Sequence, residues 1–238
     1  MASSPSGGFW SQWWRVGGLL GIGFLALNTI SAFTLLGETP VHDDPISEIR
    51  SFFTDDETQF LVGNYLIGIA LVFLFFPFLL ILRRLLGWVE GGTNLFSWTA
   101  LGGGLSYSLM SFVAGVSWGA LAMGAGGDPS VSDSSVQTLM YFAAYALAGT
   151  SFFIALMVFA ASVVILRTGV LWRWLAALGA AVGVLGVVGA AWPVQGDTDG
   201  VLWIAWIINQ LLLLPWILAV SINMVVKKEL PDRVAGEL

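Results

Sequence analysis

The chain contains no cysteine, one histidine and few charges. Without cysteine it can form no disulfide, thiolate nucleophile, thiolate metal centre or thioether or palmitoyl anchor. Its single histidine, His42, lies outside every long apolar run, so no run offers the axial histidine that a haem between helices generally needs. Charged residues make up only 10% of 238 positions, and between the ends of the apolar runs there is no Asp, Glu, Lys, Arg or His. That last absence carries the most functional weight. Ionisable groups inside a bilayer mark proton relays, ion pathways and retinal counter-ions. Retinal also needs a lysine, and intramembrane proteolysis needs carboxylates or histidine at depth. The sequence argues against all of these, and against proton-coupled transport for the same reason.

Apolar residues dominate what remains, at 57% of the chain with a mean hydropathy of +0.86. A bilayer core about 30 Å thick needs roughly 20 mostly apolar residues per helix. Six such runs lie near Val16–Leu36, Thr58–Leu82, Leu95–Met123, Val136–Leu166, Leu175–Trp192 and Val201–Val226. Each is too long, and too rich in Leu, Ala and Gly, to be an alternating barrel strand. The first run is too long for the core of a cleaved signal peptide, and Trp10, Trp13 and Trp14 would anchor it as a retained helix.

Eight basic residues outside the runs fall on one side of the six-span drawing: Arg15, Arg83, Arg84, Arg167, Arg173, Lys227, Lys228 and Arg233. Only Arg50 falls on the other, whereas the acids divide eleven to four in the opposite sense. Basic loops mark the cytoplasmic side. The expectation is an all-α polytopic membrane protein. It is a single integral membrane domain over residues 1–238, a six-transmembrane-helix bundle with both termini cytoplasmic, placed in the plasma membrane.

Seven of the fifteen acids crowd into "ETPVHDDPISEIRSFFTDDETQF", Glu38 to Phe60. Helix grammar accounts for much of this. Thr54–Glu57 has capping-box spacing for the second membrane helix, and Ser134–Gln137 repeats it for the fourth. Asp197–Asp199 offers a similar start for the sixth, where acids suit the helix dipole. Asp44 as N-cap and Pro45 at the first position would open a short amphipathic outer helix between helices one and two. Its Ile46, Ile49, Phe52 and Phe53 would share one face, and Ser47, Glu48, Arg50 and Ser51 the other, so that it lies on the membrane surface or roofs the bundle. His42, Asp43, Asp44 and Glu48 could together hold a divalent ion. The capping role already explains Asp44, however, and a lone histidine beside acids on a loop is expected to be solvated.

Neutral polar residues do occur within the runs: Asn28, Thr29, Asn64, Tyr107, Thr150, Ser151, Asn209, Gln210 and Asn223. Asn209 and Gln210 precede Pro215, and Pro77 interrupts the second run. A proline frees a backbone carbonyl and can kink a helix, so a nearby polar pair could line a cavity. If the protein binds a small molecule, Asn28, Tyr107, Asn209 and Gln210 are the expected substrate-binding residues. Bonding between helices is the plainer expectation for all of them. Gly17 and Gly21, then Ser111, Gly115 and Gly119, then Gly179 and Gly183 recur every four residues, a spacing that lets backbones approach closely, by default inside the bundle. The "GGG" at Gly102–Gly104 follows no strand and is not a nucleotide loop.

"ILRRLLGW" (Ile81–Trp88) and "ILRTGVLW" (Ile165–Trp172) share Ile, Leu, Arg and Trp at matching places 84 residues apart. Helices two and three therefore correspond weakly to four and five as a parallel repeat. The stretches "SEIRSFFTDDETQFLVGNYLIG" and "VILRTGVLWRWLAALGAAVGVLGVVG" resemble those of uncharacterised six-span membrane proteins from high-GC bacteria, the DUF4386 group. Trp172 departs from that pattern, standing where a proline is common. The resemblance implies an inner-membrane six-helix bundle and brings no activity or catalytic residue with it.

The expected function is a non-catalytic integral subunit or scaffold of a larger membrane assembly, with no cofactor and no metal. Its expected partners are the lipid bilayer and other membrane subunits or copies of itself, and not nucleic acid. The alternative is a carrier or binder of a neutral or apolar small molecule such as a lipid, isoprenoid or quinone.

Overall fold

A computed structural model describes residues 7–32, 39–55, 57–125, 127–195 and 200–226. Among these, every regular element is helical. The elements are α1 (Gly7–Ile30), α2 (Ile46–Asp55), α3 (Glu57–Ile69), α4 (Phe76–Glu90), α5 (Leu95–Ala120), α6 (Asp133–Thr168), α7 (Trp174–Gly189), α8 (Trp192–Gln195) and α9 (Val201–Val226). A π-helical segment, Ala70–Phe75, joins α3 to α4, and a second, Leu121–Ala125, ends α5.

Five stretches are long and apolar enough to cross a membrane: Glu57–Glu90, Leu95–Gly124, Asp133–Thr168, Trp174–Gln195 and Val201–Val226. They match the last five expected runs, with ends displaced by a few residues and, at Glu90, by a further two turns. Arg83 and Arg84 end the apolar run, but arginine is a good helix former and does not end the helix. Among the described residues the first expected run does not join the five. With 24 residues α1 has the length, but Trp13, Trp14, Arg15, Asn28 and six glycines dilute its apolar character. It also starts at Gly7 rather than near Val16, and residues 33–36 of that expected run lie outside the described residues.

The six long helices close into a ring. In order around it stand α1, the α3–α4 helix, α5, α6, α7 and α9, with α1 packed against α9 to complete the circuit. Glycine sets the close approaches. A Cβ on Gly18 of α1 would lie 2.4 Å from the Ser221 carbonyl oxygen of α9, and one on Gly189 of α7 would lie 2.5 Å from the Trp206 nitrogen of α9. The three small-residue stripes all face helices of this chain. Gly17 and Gly21 meet Ile81, Met224 and Ser221, Gly115 and Gly119 meet Asn64, and Gly179 and Gly183 meet Ser162 and Phe159. The main apolar core fills the ring, centred on Phe75, Phe78, Leu86, Ile154, Val158, Leu175, Trp216 and Ile217.

Pro77 explains the π-helical segment. Proline has no N–H to offer residue 73, and its ring would strike that carbonyl. The turn before it widens instead, and the Phe76 amide donates to the Leu71 carbonyl, five residues back. By contrast α9 runs unbroken through Pro215.

At 1.5 Å per residue, the 36 residues of α6 extend about 54 Å, well beyond a 30 Å hydrocarbon core. The surplus builds a second, smaller core at the acidic end. The expected outer helix is there as α2, with Ile49 and Phe53 fully buried and Ile46 and Phe52 packed beside them. They meet Phe60, Leu121, Ala122, Val136 and Met140. Thus α2 roofs the bundle. The capping details differ from expectation. The Thr54 hydroxyl donates to the Arg50 carbonyl within α2 rather than capping α3. The cap of α6 is Ser132, not Ser134, and it accepts from the Ser135 amide at 3.3 Å. The Asp44 carboxylate turns back to the Val41 amide at 2.7 Å, leaving the first helical bonds to the Pro45 carbonyl. Asp197–Asp199 lie outside the described residues, and the Gln195 side chain accepts from the Leu202 amide at the start of α9.

At the basic end α5 receives a cap from the preceding helix. Gly91 and Gly92 turn the chain at positive φ, and the Glu90 carboxylate accepts from the amides of Phe96 (2.7 Å) and Ser97 (2.8 Å). The negative charge also sits on the positive end of the α5 dipole. Glu90→Ala should destabilise the protein by about 1–2 kcal/mol, read by unfolding in mild detergent. Glu90→Gln, which keeps only one acceptor oxygen, should lose about half as much.

Candidate functional site

The four residues nominated for binding do not converge. On α9, Asn209 is fully buried and its Nδ2 donates to the Val182 carbonyl of α7 at 2.7 Å. Next to it, Gln210 Nε2 lies 3.3 Å from both the Thr150 and Ser151 hydroxyls of α6. Tyr107, on α5, is edge-on to Phe75 at 5.6 Å. Asn28 is partly exposed near the opposite end of α1 from Arg15. Two more polar side chains fasten helices in the same way: Asn64 Nδ2 to the Gly115 carbonyl (2.8 Å) and Trp216 Nε1 to the Leu175 carbonyl (3.0 Å). Bonds of this kind between membrane helices contribute roughly 0.6–2 kcal/mol each. Of the buried amide oxygens, those of Asn94, Asn209 and Asn223 have no partner.

Nor do the outer acids gather. Among the described residues no group of three or more His, Asp or Glu side chains could hold a metal ion. His42 is not solvated, as a loop histidine was expected to be. It is 7% exposed, lies between Tyr141 of α6 and Trp192 of α8 at ring-centroid distances of 5.3 and 5.2 Å, and has Asp43 3.9 Å away. The Gln137 amide of α6 donates to its carbonyl. Trp192 continues the aromatic wall into Trp203 and Trp206 of α9, which stack at 4.7 Å. Three separate helices, α6, α8 and α9, and the turn before α2 bring these rings together, and no local sequence signal joins them.

Arg50 was placed on the solvent face of α2, yet it is the clasp of the roof. Its guanidinium donates to the Asp133 carboxylate at 2.9 and 3.1 Å, to the Val131 carbonyl at 2.6 Å and to the Asp128 carbonyl at 3.3 Å. Arg50, Val131 and Asp133 border an open cavity of about 620 Å³ together with Thr54, Asp55 and Pro129. One cation thereby ties α2 to the loop and helix more than 70 residues later. The Ser130 amide (2.8 Å) and hydroxyl hold the Asp128 carboxyl below the usual carboxylate range, and Arg50 adds to this. A depressed folded-state value gives stability that is complete above the unfolded value, near 3.9, and is lost as pH falls through the folded value. Hydrogen-exchange protection of residues 127–132, corrected for intrinsic rate, should therefore fall on acidification below about pH 4 and stay flat above it.

Apart from Arg50, the described basic residues gather at the other end, where two of them have aromatic partners. Arg83 lies over Trp98 at 3.8 Å and Arg167 over Phe96 at 5.2 Å, while Trp14 stacks on Trp88 and Trp172 on Trp174. Each copy of the repeated segment thus delivers its arginine to the first turn of α5. The molecule is all-helical, with five helices able to cross a membrane, one end acidic and roofed, the other basic and rich in tryptophan. The chain matches no family model, no curated protein and no solved structure.

Proposed function

We propose that the protein is a non-catalytic integral subunit or scaffold of the plasma membrane, with α1 as a sixth span, the basic end in the cytoplasm and α2 outside. The observation that carries this reading is how the interior polar side chains are used: Asn64, Asn209, Gln210 and Trp216 bond to neighbouring helices. An interior engaged in holding itself together suits a packing element. Large side chains such as Tyr65, Phe73, Phe112, Phe142 and Tyr145 point outward, towards lipid or a partner. The ring supports α1 as a span, because it is flanked by α4 and α9 along its length. The resemblance to six-span bacterial proteins points the same way.

Two experiments test the reading. A chain without cysteine permits single-cysteine accessibility labelling. A cysteine at exposed Ser47 should react with an impermeant maleimide in intact cells, and one at Gly92 only after permeabilisation; the reverse pattern overturns the orientation. Purification in mild detergent with chemical cross-linking should recover a reproducible membrane-protein partner, and a lone monomer in every preparation would sink the subunit reading. The carrier reading is favoured by one observation, the buried and unpartnered Oδ1 of Asn209. A neutral lipid or quinone retained by the wild type and lost in Asn209→Leu would replace the scaffold by a carrier.

A further inference from the structure

One groove at the basic end has both a polar head and an apolar track. Along α4, Phe76, Leu80 and Arg83 follow at spacings of four and three, and along α5 Trp98, Gly102 and Leu105 follow at the same spacings. Such spacings place each trio on one helix face. The two faces meet where the Arg83 guanidinium lies 3.8 Å over the Trp98 ring. Apart from Arg83 and Gly102, these are large apolar side chains that remain exposed, Trp98 at 54% and Leu80 at 44%. Gly102 makes a notch between them, since a Cβ there would meet nothing within 4 Å. At the head of the notch Arg83 Nε is buried without a hydrogen-bond partner. Among the described residues no carboxylate pairs with Arg83, and Glu90, the described acid at this end, is engaged in capping α5.

We propose that this groove binds an anionic glycerophospholipid, with its phosphate on the Arg83 guanidinium and an acyl chain laid over Gly102 and Leu105. A buried guanidinium donor without a partner calls for an acceptor, and phosphate oxygens match its fork geometry. From Arg83 to Phe76 is about 10 Å along the helix, inwards from the headgroup zone, so the apolar track begins at the depth where an acyl chain does. The inference rests on the membrane placement proposed above. Release of the chain from membranes by alkaline carbonate would remove that placement, whereas the lipid experiment reads the groove in detergent.

The full chain is unfolded thermally in mild detergent with added phosphatidylglycerol, phosphatidylcholine or inorganic phosphate, and retained lipid is counted by native mass spectrometry. Phosphatidylglycerol should raise the wild-type Tm by roughly 5 °C at saturating lipid, with phosphatidylcholine and inorganic phosphate giving less than half of that. Arg83→Gln removes the phosphate contact and Gly102→Leu fills the notch, and each should at least halve the shift. Arg173→Gln, which alters an exposed arginine at the same end, should leave the shift intact. The proposal is overturned if Gly102→Leu keeps the full shift, if Arg173→Gln abolishes it as completely as Arg83→Gln, or if phosphatidylcholine or inorganic phosphate stabilises equally. Gly102→Leu fills open space, so the test survives even if Arg83→Gln folds poorly.

Discussion

Gly103→Leu should prevent the bundle from assembling, while Gly102→Leu, one position earlier, should be harmless. A Cβ on Gly103 would stand 2.6 Å from the Met157 nitrogen and 2.8 Å from the Phe153 carbonyl oxygen, both backbone atoms of α6. Backbone cannot turn aside as a side chain can, so α5 and α6 would have to separate along the most extensive helix contact in the molecule. Overpacking in a core costs about 1–3 kcal/mol where side chains can yield, so at least about 3 kcal/mol is expected against backbone. At Gly102 the added side chain meets nothing, and leucine favours helix over glycine by up to about 0.8 kcal/mol. Unfolding of both variants by a denaturing detergent checks the pair. Equal stability for the two would mean that α5 and α6 do not pack through Gly103.

Arg50→Met should detach the roof without dissolving the membrane core. The substitution keeps the apolar stem and removes the bonds to Asp133, Val131 and Asp128. The carboxylate side of the clasp is exposed, Asp133 at 69%, and exposed ion pairs typically contribute less than about 1 kcal/mol. The part-buried bond to the Val131 carbonyl is the larger share, because losing it strands an acceptor. A local loss of about 2 kcal/mol is expected, roughly a thirtyfold fall in exchange protection for residues 46–55 and 127–136, with the main core unchanged. Asp133→Asn should cost less than half as much. If Asp133→Asn matched Arg50→Met, the ion pair rather than the carbonyl bonds would hold the roof.

Much of the architecture could be read from the chain. The two periodicities that matter, about 20 apolar residues per crossing and the amphipathic repeat of Ile46, Ile49, Phe52 and Phe53, are local properties that burial acts on directly. They located five crossing helices and the roof helix. Caps were read less well. Ser132 and Ser134 are chemically equivalent candidates two residues apart, and the choice depends on which amide is left facing outward. The first run was not recovered among the described residues, because Trp13, Trp14, Arg15, Asn28 and several weakly apolar glycines share α1 and residues 33–36 of the run lie outside the described residues.

The sequence by itself determined where charge can be: an interior without ionisable groups and two ends of opposite sign, since desolvating a charge costs too much for the chain to hide one at depth. Only the tertiary structure decided which residues act together. Arg50 with Val131 and Asp133, His42 with Tyr141 and Trp192, Glu90 with Phe96, and Arg83 with Trp98 are unions of distant or turn-separated positions. They are fixed by how glycine-lined helices close into a ring, and spacing along a chain does not encode which helix becomes whose neighbour.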